Sequence, residues 1–323
     1  MHRMPPRPRV LVLAGARDPV RAALAALPAG AEVVVGATAA ELAAAAPEAE
    51  VLYYCSVGAA VLRELWPSLR RLRWLQSRPT GVDTLLFPEL VQSDVVLTNS
   101  RGAFSRALAE WVLAAVLFFA KDLRRLVRSQ EEGRWDVFEP LLLRGRTAGI
   151  VGLGDIGRAC APLLRGAGLR TLGLRRSGGP AEDVDDLLPP EGLPELLARS
   201  HYVVLALPLT PATHHLIGAA QIAQMRADAV LINVGRGPLV DEPALVAALG
   251  AGRLRGAALD VFEQEPLPSG HPLFALPTVL LSPHSADQVQ GWREGAHAVF
   301  VENLRRYLDG QPLLNVVDKA RGY

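Results

Sequence analysis

Residues 149–157 read GIVGLGDIG, and this stretch decides how the chain folds. An apolar run beginning at Thr147 predicts a buried strand, and the residues from Asp155 onward predict a helix. Between them Gly152, Gly154 and Gly157 fit the pattern G-x-G-x-x-G, which permits a tight turn, close approach of a pyrophosphate to the backbone and close helix packing. Free amides at the start of the helix would attract the phosphate charge. The stretch therefore predicts a dinucleotide-binding turn.

Short apolar runs alternate with alanine-rich helical segments on both sides of this turn. The alternation fills the first hundred residues, restarts at Thr147 and continues to about His284. Near-continuous runs of branched aliphatic residues between helices are typical of parallel sheets covered on both faces. The sequence thus predicts an α/β protein with two doubly wound parallel-sheet domains. One long apolar helix, from about Phe104 to Arg128, is expected between them, buried between the domains or against a second subunit.

The composition excludes several classes of protein. The chain has 323 residues, of which 50% are hydrophobic and 21% charged, as expected for a folded protein of two domains. A formal net charge of +1 gives no reason to expect nucleic acid or a membrane surface as partner. Two cysteines, Cys55 and Cys160, are too few for a disulfide framework or a cysteine-rich metal site. We expect a soluble cytoplasmic protein without a metal.

Residues 172–178 read LGLRRSG and follow the glycine turn at the distance where an acidic residue usually binds the adenosine ribose. Arg175 and Arg176 cannot accept a hydrogen bond from a ribose hydroxyl, because a guanidinium has only donors. They could instead bind a 2′-phosphate, with Ser177 adding a hydroxyl. This predicts a preference for NADP(H), with NAD(H) as the alternative. A second interpretation also stays open, that both arginines are solvated charges in an arginine-rich chain.

Polar side chains follow three predicted strands in the last third of the chain. Arg236 comes after one strand, Asp260 and Glu265 after the next, and His284 after another. Carboxyl ends of strands are where open α/β sheets bind ligands. Histidine exchanges a proton near neutral pH, a carboxylate on its other nitrogen favours the charged form, and arginine can polarise a carbonyl. Each residue alone also fits a structural role, but together with the glycine turn they predict reduction of a carbonyl by hydride transfer.

These motifs, in this order, resemble the D-isomer-specific 2-hydroxyacid dehydrogenase family. The resemblance covers nearly the whole chain and rests on GIVGLGDIG, LPLTPATHHLI, LINVGRGPLVDEPAL, GAALDVFEQEPLP and LSPHSAD. It implies that Arg236 binds the substrate carbonyl and carboxylate, that His284 gives or takes the proton, and that Glu265 is the partner of His284. The residues that it places on the cofactor, besides the three glycines, are Asp155, Ile156, Leu207, Pro208, Thr213, Val234, Arg236 and Asp260.

The resemblance also implies a domain organisation and a substrate loop. A Rossmann cofactor domain, residues 102–288, would be inserted into a flavodoxin-like substrate domain formed by residues 1–101 and 289–323. In the substrate domain Val57 and Gly58 would offer backbone amides to the substrate carboxylate. Pocket walls are expected from the surrounding loop and from Trp292. Members of the family are usually homodimers joined largely through the cofactor domain.

The expected activity is reversible reduction of a small 2-oxo acid to a D-2-hydroxy acid by NAD(P)H. Glyoxylate or hydroxypyruvate is the first expectation, because relatives that use NADP often take these substrates. A binding function is the alternative, since the same fold serves as a dinucleotide-sensing corepressor in some animals, and a fold alone does not fix a function.

Overall fold

The computed structural model of this chain describes residues 8–24, 27, 30–55, 57–176 and 183–323. It divides into two compact units. Unit 1 comprises Met1–Phe104 and Gln290–Tyr323, and unit 2 comprises Ser105–Val289. Each unit is an α/β structure in which the paired strands of the sheet run parallel, so the predicted fold class is confirmed.

Unit 1 is built on a five-stranded sheet with order β2-β1-β3-β4-β5. Its strands are β1 (Arg9–Leu13), β2 (Glu32–Gly36), β3 (Ala49–Tyr54), β4 (Trp74–Ser77) and β5 (Val96–Thr98). Its helices are α1 (Val20–Ala23), α2 (Ala39–Leu42), α3 (Ala59–Leu65), α4 (Pro88–Gln92) and, near the end of the chain, α12 (Trp292–Leu308). This order is that of flavodoxin-like sheets, whose topological switch point lies between the first and third strands.

Both faces of the unit 1 sheet are buried, as the continuous apolar strands predict. Successive side chains of a strand point to opposite faces. Leu52 accordingly packs into one core cluster, while Tyr53 packs into the other. The ring of Tyr53 stacks on Phe300 of α12 with 4.1 Å between centroids, so the last helix of the chain covers the sheet formed by its first hundred residues.

Unit 2 is built on a seven-stranded sheet with order β8-β7-β6-β9-β10-β11-β12. Its strands are β6 (Thr147–Val151), β7 (Arg170–Leu174), β8 (Asp186–Leu188), β9 (Tyr202–Leu205), β10 (Val230–Asn233), β11 (Gly256–Leu259) and β12 (Val279–Leu281). Its helices are α5 (Ser105–Lys121), α6 (Leu123–Glu131), α7 (Asp155–Gly166), α8 (Leu193–Arg199), α9 (Ala219–Gln224), α10 (Glu242–Gly250) and α11 (Pro272–Ala275). The order is that of a Rossmann sheet with a seventh strand at one edge, and its switch point lies between β6 and β9.

The prediction of a single long helix from Phe104 to Arg128 is wrong, because the structure contains two helices there. Asp122 separates α5 from α6 and has a left-handed backbone with φ of 48°. Aspartate is among the few residues that adopt this conformation readily. The apolar side of α5, which includes Val112 and Val116, packs against α7 within unit 2, so its burial requires no second chain. No helix in the described ranges combines the length and apolar character needed to cross a membrane.

Candidate functional site

The glycine turn joins β6 to α7 at the switch point of the unit 2 sheet. Gly152 has φ of +99°, and a Cβ there would lie 2.6 Å from the carbonyl oxygen of Ala206. A Cβ at Gly157 would lie 2.0 Å from the carbonyl oxygen of Gly152. At Gly154, by contrast, a Cβ would meet no described atom within 4 Å. The chain's own packing therefore requires glycine at 152 and 157, whereas position 154 is left open for a ligand.

The start of α7 is suited to bind an anion. Gly154 is the N-cap residue, and no side chain caps the first amides of the helix in the described structure. These amides carry partial positive charge and lack partners within the helix, which is the usual arrangement at a pyrophosphate site. Asp155 and Ile156 form the first turn beside them. The open turn and the uncapped amides together fit a dinucleotide.

Arg175 and Arg176 follow directly after β7, and no acidic residue stands at this position. Arg175 is half-buried and Arg176 is exposed. Asp186 of the neighbouring strand β8 does not take the place of the missing acidic residue, because its carboxylate binds Arg170 and Arg199. Ser177, the third residue predicted to bind the 2′-phosphate, lies outside the described residues.

The segments after β9 and β10 border the same switch point. Leu207 packs against the core of unit 2, and Pro208 is exposed. The Thr213 hydroxyl donates to the carbonyl of Pro208 at 2.8 Å and accepts from the amide of Thr210 at 2.8 Å, which closes the turn between them. Val234 is buried at the end of β10. These residues stand at the sheet edge predicted for the cofactor, and their contacts with it stay a prediction.

Strands β10, β11 and β12 are neighbours in the sheet, so the loops after them meet at one edge. Arg236 lies in the first loop, where its backbone carbonyl accepts a hydrogen bond from the Asn233 side chain at 2.9 Å. Glu265 lies in the second loop and His284 in the third. The positive charge of Arg236 lowers the pKa of both Glu265 and His284, although it is not the main influence on either. The structure thus brings together the three residues that the sequence singled out.

Glu265 and His284 form a short hydrogen bond. Nδ1 of His284 lies 2.6 Å from Oε2 of Glu265, and the other carboxylate oxygen accepts from the Phe262 amide at 3.0 Å. An ionised carboxylate can only accept, so Nδ1 carries the proton and Nε2 is left to exchange a proton with a ligand. The His284 side chain is 43% exposed, so a small ligand can reach it.

The same contact shifts the pKa values of both groups. The hydrogen bond that His284 donates to Glu265 raises the pKa of His284 above its ordinary value, against the opposing effect of burial. Burial acts to raise the pKa of Glu265, but the hydrogen bonds from His284 and from the Phe262 amide outweigh it and leave that pKa below its usual value. The pair therefore favours a charged imidazole beside an ionised carboxylate, which is a suitable proton donor for a carbonyl oxygen.

Asp260 holds the loop that carries His284. Its carboxylate is buried, and Oδ1 accepts from the amides of Ser285 at 2.9 Å and Ala286 at 3.0 Å. Its backbone carbonyl accepts from the amide of His284 at 2.8 Å. His284 itself has a left-handed backbone with φ of 51°. These contacts fix an unfavourable conformation at His284, and the sequence did not predict this role for Asp260.

A second group of contacts that sequence analysis missed holds the other two loops together. A Cβ at Gly237 would lie 1.9 Å from the backbone of Phe262, so the turn containing Arg236 touches the loop of Glu265 directly. Beside it, Nε2 of His215 lies 2.8 Å from Oε1 of Glu263. The signal for the first contact was the sequence GRG, since a glycine after Arg236 permits this close approach.

Val57 and Gly58, the predicted substrate loop, belong to unit 1 and follow β3. Gly58 has φ of 104° and is exposed, and Val57 is half-buried. Their amides fall at the carboxyl edge of the sheet where flavodoxin-like folds bind ligands. Among the residues described, no three histidine, cysteine, aspartate or glutamate side chains are grouped as a metal site.

Comparison with known proteins agrees with this geometry. Residues 113–286 match the family model described as "D-isomer specific 2-hydroxyacid dehydrogenase, NAD binding domain". The D-3-phosphoglycerate dehydrogenase of Methanocaldococcus jannaschii is 33% identical over 89% of this chain, which spans 55% of that longer relative. The glyoxylate reductase of Korarchaeum cryptofilum is 35% identical over 79% of both proteins.

Solved structures extend the similarity to the whole fold. A Sinorhizobium meliloti enzyme, described as an NADPH-dependent glyoxylate/hydroxypyruvate reductase in complex with NADP and sulfate, has 29% sequence identity and a TM-score of 0.87. The match covers 98% of this chain and all of the other. Fold and sequence thus lead to the same group of proteins.

Proposed function

Because this chain belongs to the D-isomer-specific 2-hydroxyacid dehydrogenase family, we propose that it reduces a small 2-oxo acid to a D-2-hydroxy acid with NAD(P)H. The observation that carries this proposal is the 2.6 Å contact between His284 and Glu265 at the carboxyl edge of the sheet that bears the glycine turn. Glyoxylate or hydroxypyruvate is the proposed substrate, and it is supported by the names of the relatives from Korarchaeum and Sinorhizobium.

The chain's own residues divide the work of the reduction. A reduced dinucleotide bound at the turn of Gly152, Gly154 and Gly157 would provide the hydride for the carbonyl carbon. His284 donates the proton of Nε2 to the carbonyl oxygen, and Glu265 stabilises the charged imidazole beforehand. Arg236 polarises the carbonyl and binds the substrate carboxylate through its guanidinium. Val57 and Gly58 contribute backbone amides to the same carboxylate.

We propose NADPH as the preferred form of the cofactor. Arg175 and Arg176 directly follow β7, where an acidic residue usually accepts from the ribose hydroxyl, and a guanidinium suits a 2′-phosphate better than a ribose hydroxyl. Asp260, which the family resemblance places near the nicotinamide carboxamide, already uses one oxygen to hold the His284 loop.

A function as a dinucleotide-sensing corepressor is not favoured, because the relatives from Methanocaldococcus, Korarchaeum and Sinorhizobium are named as reductases and dehydrogenases.

We also propose that the enzyme is a homodimer in the cytoplasm. Trp135 is 96% exposed, and α6 with the segment after it exposes further large apolar side chains. These are Leu123, Leu126, Val127, Val137 and Leu142. An exposed apolar patch of this kind commonly marks a protein interface, and a second copy would cover it.

The proposed location in the cytoplasm is supported by two buried cysteines, Cys55 and Cys160, whose thiols form no disulfide, as is usual in a reducing compartment.

The function is tested by mixing the purified chain with NADPH or NADH and glyoxylate, hydroxypyruvate or pyruvate, and following the loss of nicotinamide absorbance. We expect turnover with at least one of the acids, and His284→Ala to lower it about 10²–10⁴-fold because the proton donor is lost. Arg236→Ala should lower turnover strongly as well. His214→Ala is the matched control, since this exposed histidine stacks on His215 outside the pair. Turnover of the wild type with none of the acids, or near-normal turnover of His284→Ala, would contradict the proposal.

A further inference from the structure

A cavity of about 620 Å³ lies at the carboxyl edge of the unit 1 sheet. Its walls include Gly15 and Asp18 after β1, Cys55 and Val57 after β3, and Arg78 after β4. In the order β2-β1-β3-β4-β5 the chain leaves β1 and β3 toward opposite sides of the sheet, which opens a crevice between their ends. Folds of this topology bind ligands at that crevice. The position of the cavity therefore points to a ligand, and its lining indicates which kind.

Arg78 is a buried cation with a fixed position in this wall, being 7% exposed. Its Nη1 donates to Oδ2 of Asp18 at 2.7 Å, and its Nη2 donates to the carbonyl of Cys55 at 2.8 Å. The ring of Trp292 lies 5.5 Å from its Cζ. A guanidinium carries five N–H donors, and these two contacts use only two of them. Arg78 can therefore still donate to a ligand without moving.

The charges around the cavity favour a ligand with oxygen acceptors. Both carboxylate oxygens of Asp18 have partners within the protein, because one accepts from Arg78 and the other accepts from the Val20 amide at 3.0 Å. Arg17 also lines the cavity, is exposed and makes no ion pair with another described residue. Burial raises the pKa of the Cys55 thiol to about 12, so it adds no negative charge. The lining thus offers donors and positive charge, and its one carboxylate is occupied.

We propose that this cavity receives the substituent on the carbonyl carbon of the 2-oxo acid, and that Arg78 makes the enzyme specific for substituents bearing an oxygen acceptor. This inference rests on the proposed function. Val57 supports it, because the residue assigned to the substrate carboxylate also lines the cavity. A hydroxyl or carboxylate would accept from Arg78, whereas an alkyl group would remove water from the buried donors and leave them unpaired. Arg78 is thus a specificity-determining residue.

Three substrates separate this role from catalysis itself. Hydroxypyruvate and 2-oxobutyrate differ only in a hydroxyl against a methyl group at the same position, and glyoxylate has no carbon substituent. The measured quantity is the ratio of kcat/KM for hydroxypyruvate to that for 2-oxobutyrate, with glyoxylate reduction reporting the catalytically competent fraction. In the double variant Arg78→Met/Asp18→Asn, which removes both charges together, we expect the ratio to fall about 10- to 100-fold, the worth of one charged hydrogen bond.

Two further variants complete the design. Arg78→Lys keeps a positive charge for Asp18 but loses the forked donors, so the ratio should fall here too. Arg9→Met/Glu32→Gln neutralises another ion pair and should keep the wild-type ratio, because Arg9 and Glu32 are the first residues of β1 and β2, whereas the cavity lies beyond the last residues of these strands.

Each outcome decides the proposal. A ratio that falls in both Arg78 variants but not in the Arg9 control supports it. An unchanged ratio in an Arg78 variant that still reduces glyoxylate overturns it. Loss of glyoxylate reduction in both Arg78 variants also overturns it, because Arg78 would then support the whole site. A wild type that reduces none of the three acids contradicts the proposed function itself.

Discussion

The two glycines at the start of α7, Gly154 and Gly157, should differ in how the stability of the protein responds to the same added methyl group. In Gly154→Ala the methyl meets no described atom within 4 Å, and the backbone φ of −78° suits alanine. The free energy of unfolding should therefore change by less than about 1 kcal/mol, because alanine restricts the unfolded chain but is a poorer N-cap residue than glycine. In Gly157→Ala the methyl lies 2.0 Å from the Gly152 carbonyl oxygen, against 3.4–4 Å for ordinary contact. Because that oxygen belongs to the backbone and cannot move aside, the free energy of unfolding should fall by about 1–3 kcal/mol.

At position 154 the added methyl group should instead weaken the binding of the cofactor. The methyl of Gly154→Ala would occupy the space through which a pyrophosphate approaches the turn, and overpacking of that kind costs about 1–3 kcal/mol. The Kd for NADPH should then rise about 5- to 150-fold.

The assays are urea unfolding without nucleotide and fluorescence titration with NADPH. Gly250→Ala in α10 is the control, since a Cβ there also meets no described atom within 4 Å. A Gly154→Ala variant that binds NADPH as tightly as the wild type would refute the assignment of this turn.

Three further substitutions test the 2′-phosphate contact, the contact between the Arg236 turn and the Glu265 loop, and the proposed dimer interface. Arg175→Asp should lower the NADPH-to-NADH ratio of kcat/KM by about 10- to 150-fold, the value of a lost charge-assisted hydrogen bond, and an unchanged ratio would count against a phosphate contact. Gly237→Ala should lower kcat far more than it raises the Kd for NADPH, because its methyl would lie 1.9 Å from the Phe262 backbone between the Arg236 turn and the Glu265 loop; equal loss of both would indicate general unfolding. Trp135→Glu should shift the molar mass measured by light scattering toward the monomer, since it places a charge in the exposed apolar patch, and a mass identical to the wild type would remove Trp135 from the proposed interface.

Much of the architecture could be predicted because parallel sheets leave a strong pattern. Both faces of such sheets are buried, so their strands read as continuous apolar runs, and the glycine turn identifies the first strand of unit 2. The three polar residues after β10, β11 and β12 could be placed together for the same reason. The neighbouring strand ends fall on one edge, and the structure there puts His284 against Glu265.

Other features left no usable pattern. The short strand β8 and helices α4 and α11 have three to five residues, too few for a periodic signal. The break at Asp122 depends on one residue adopting a left-handed backbone, which apolar periodicity does not register.

Long-range contacts were also out of reach. Asp18 and Arg78 are 60 residues apart, and only the fold shows that they share a buried ion pair. The hold of Asp260 on the His284 loop requires knowing where two backbone amides lie.

The pH dependence of kcat/KM for glyoxylate reduction, measured in the wild type and in Glu265→Gln, shows most directly whether His284 and Glu265 together deliver the proton. Reduction consumes the proton held by His284, so activity should be highest at low pH and fall as pH rises through the pKa that Glu265 has raised. Replacing the carboxylate by an amide should move this fall to lower pH, whereas Glu263→Gln, two residues away and bound to His215, should leave it in place. A fall at the same pH in the wild type and Glu265→Gln would contradict the claim that this pair delivers the proton.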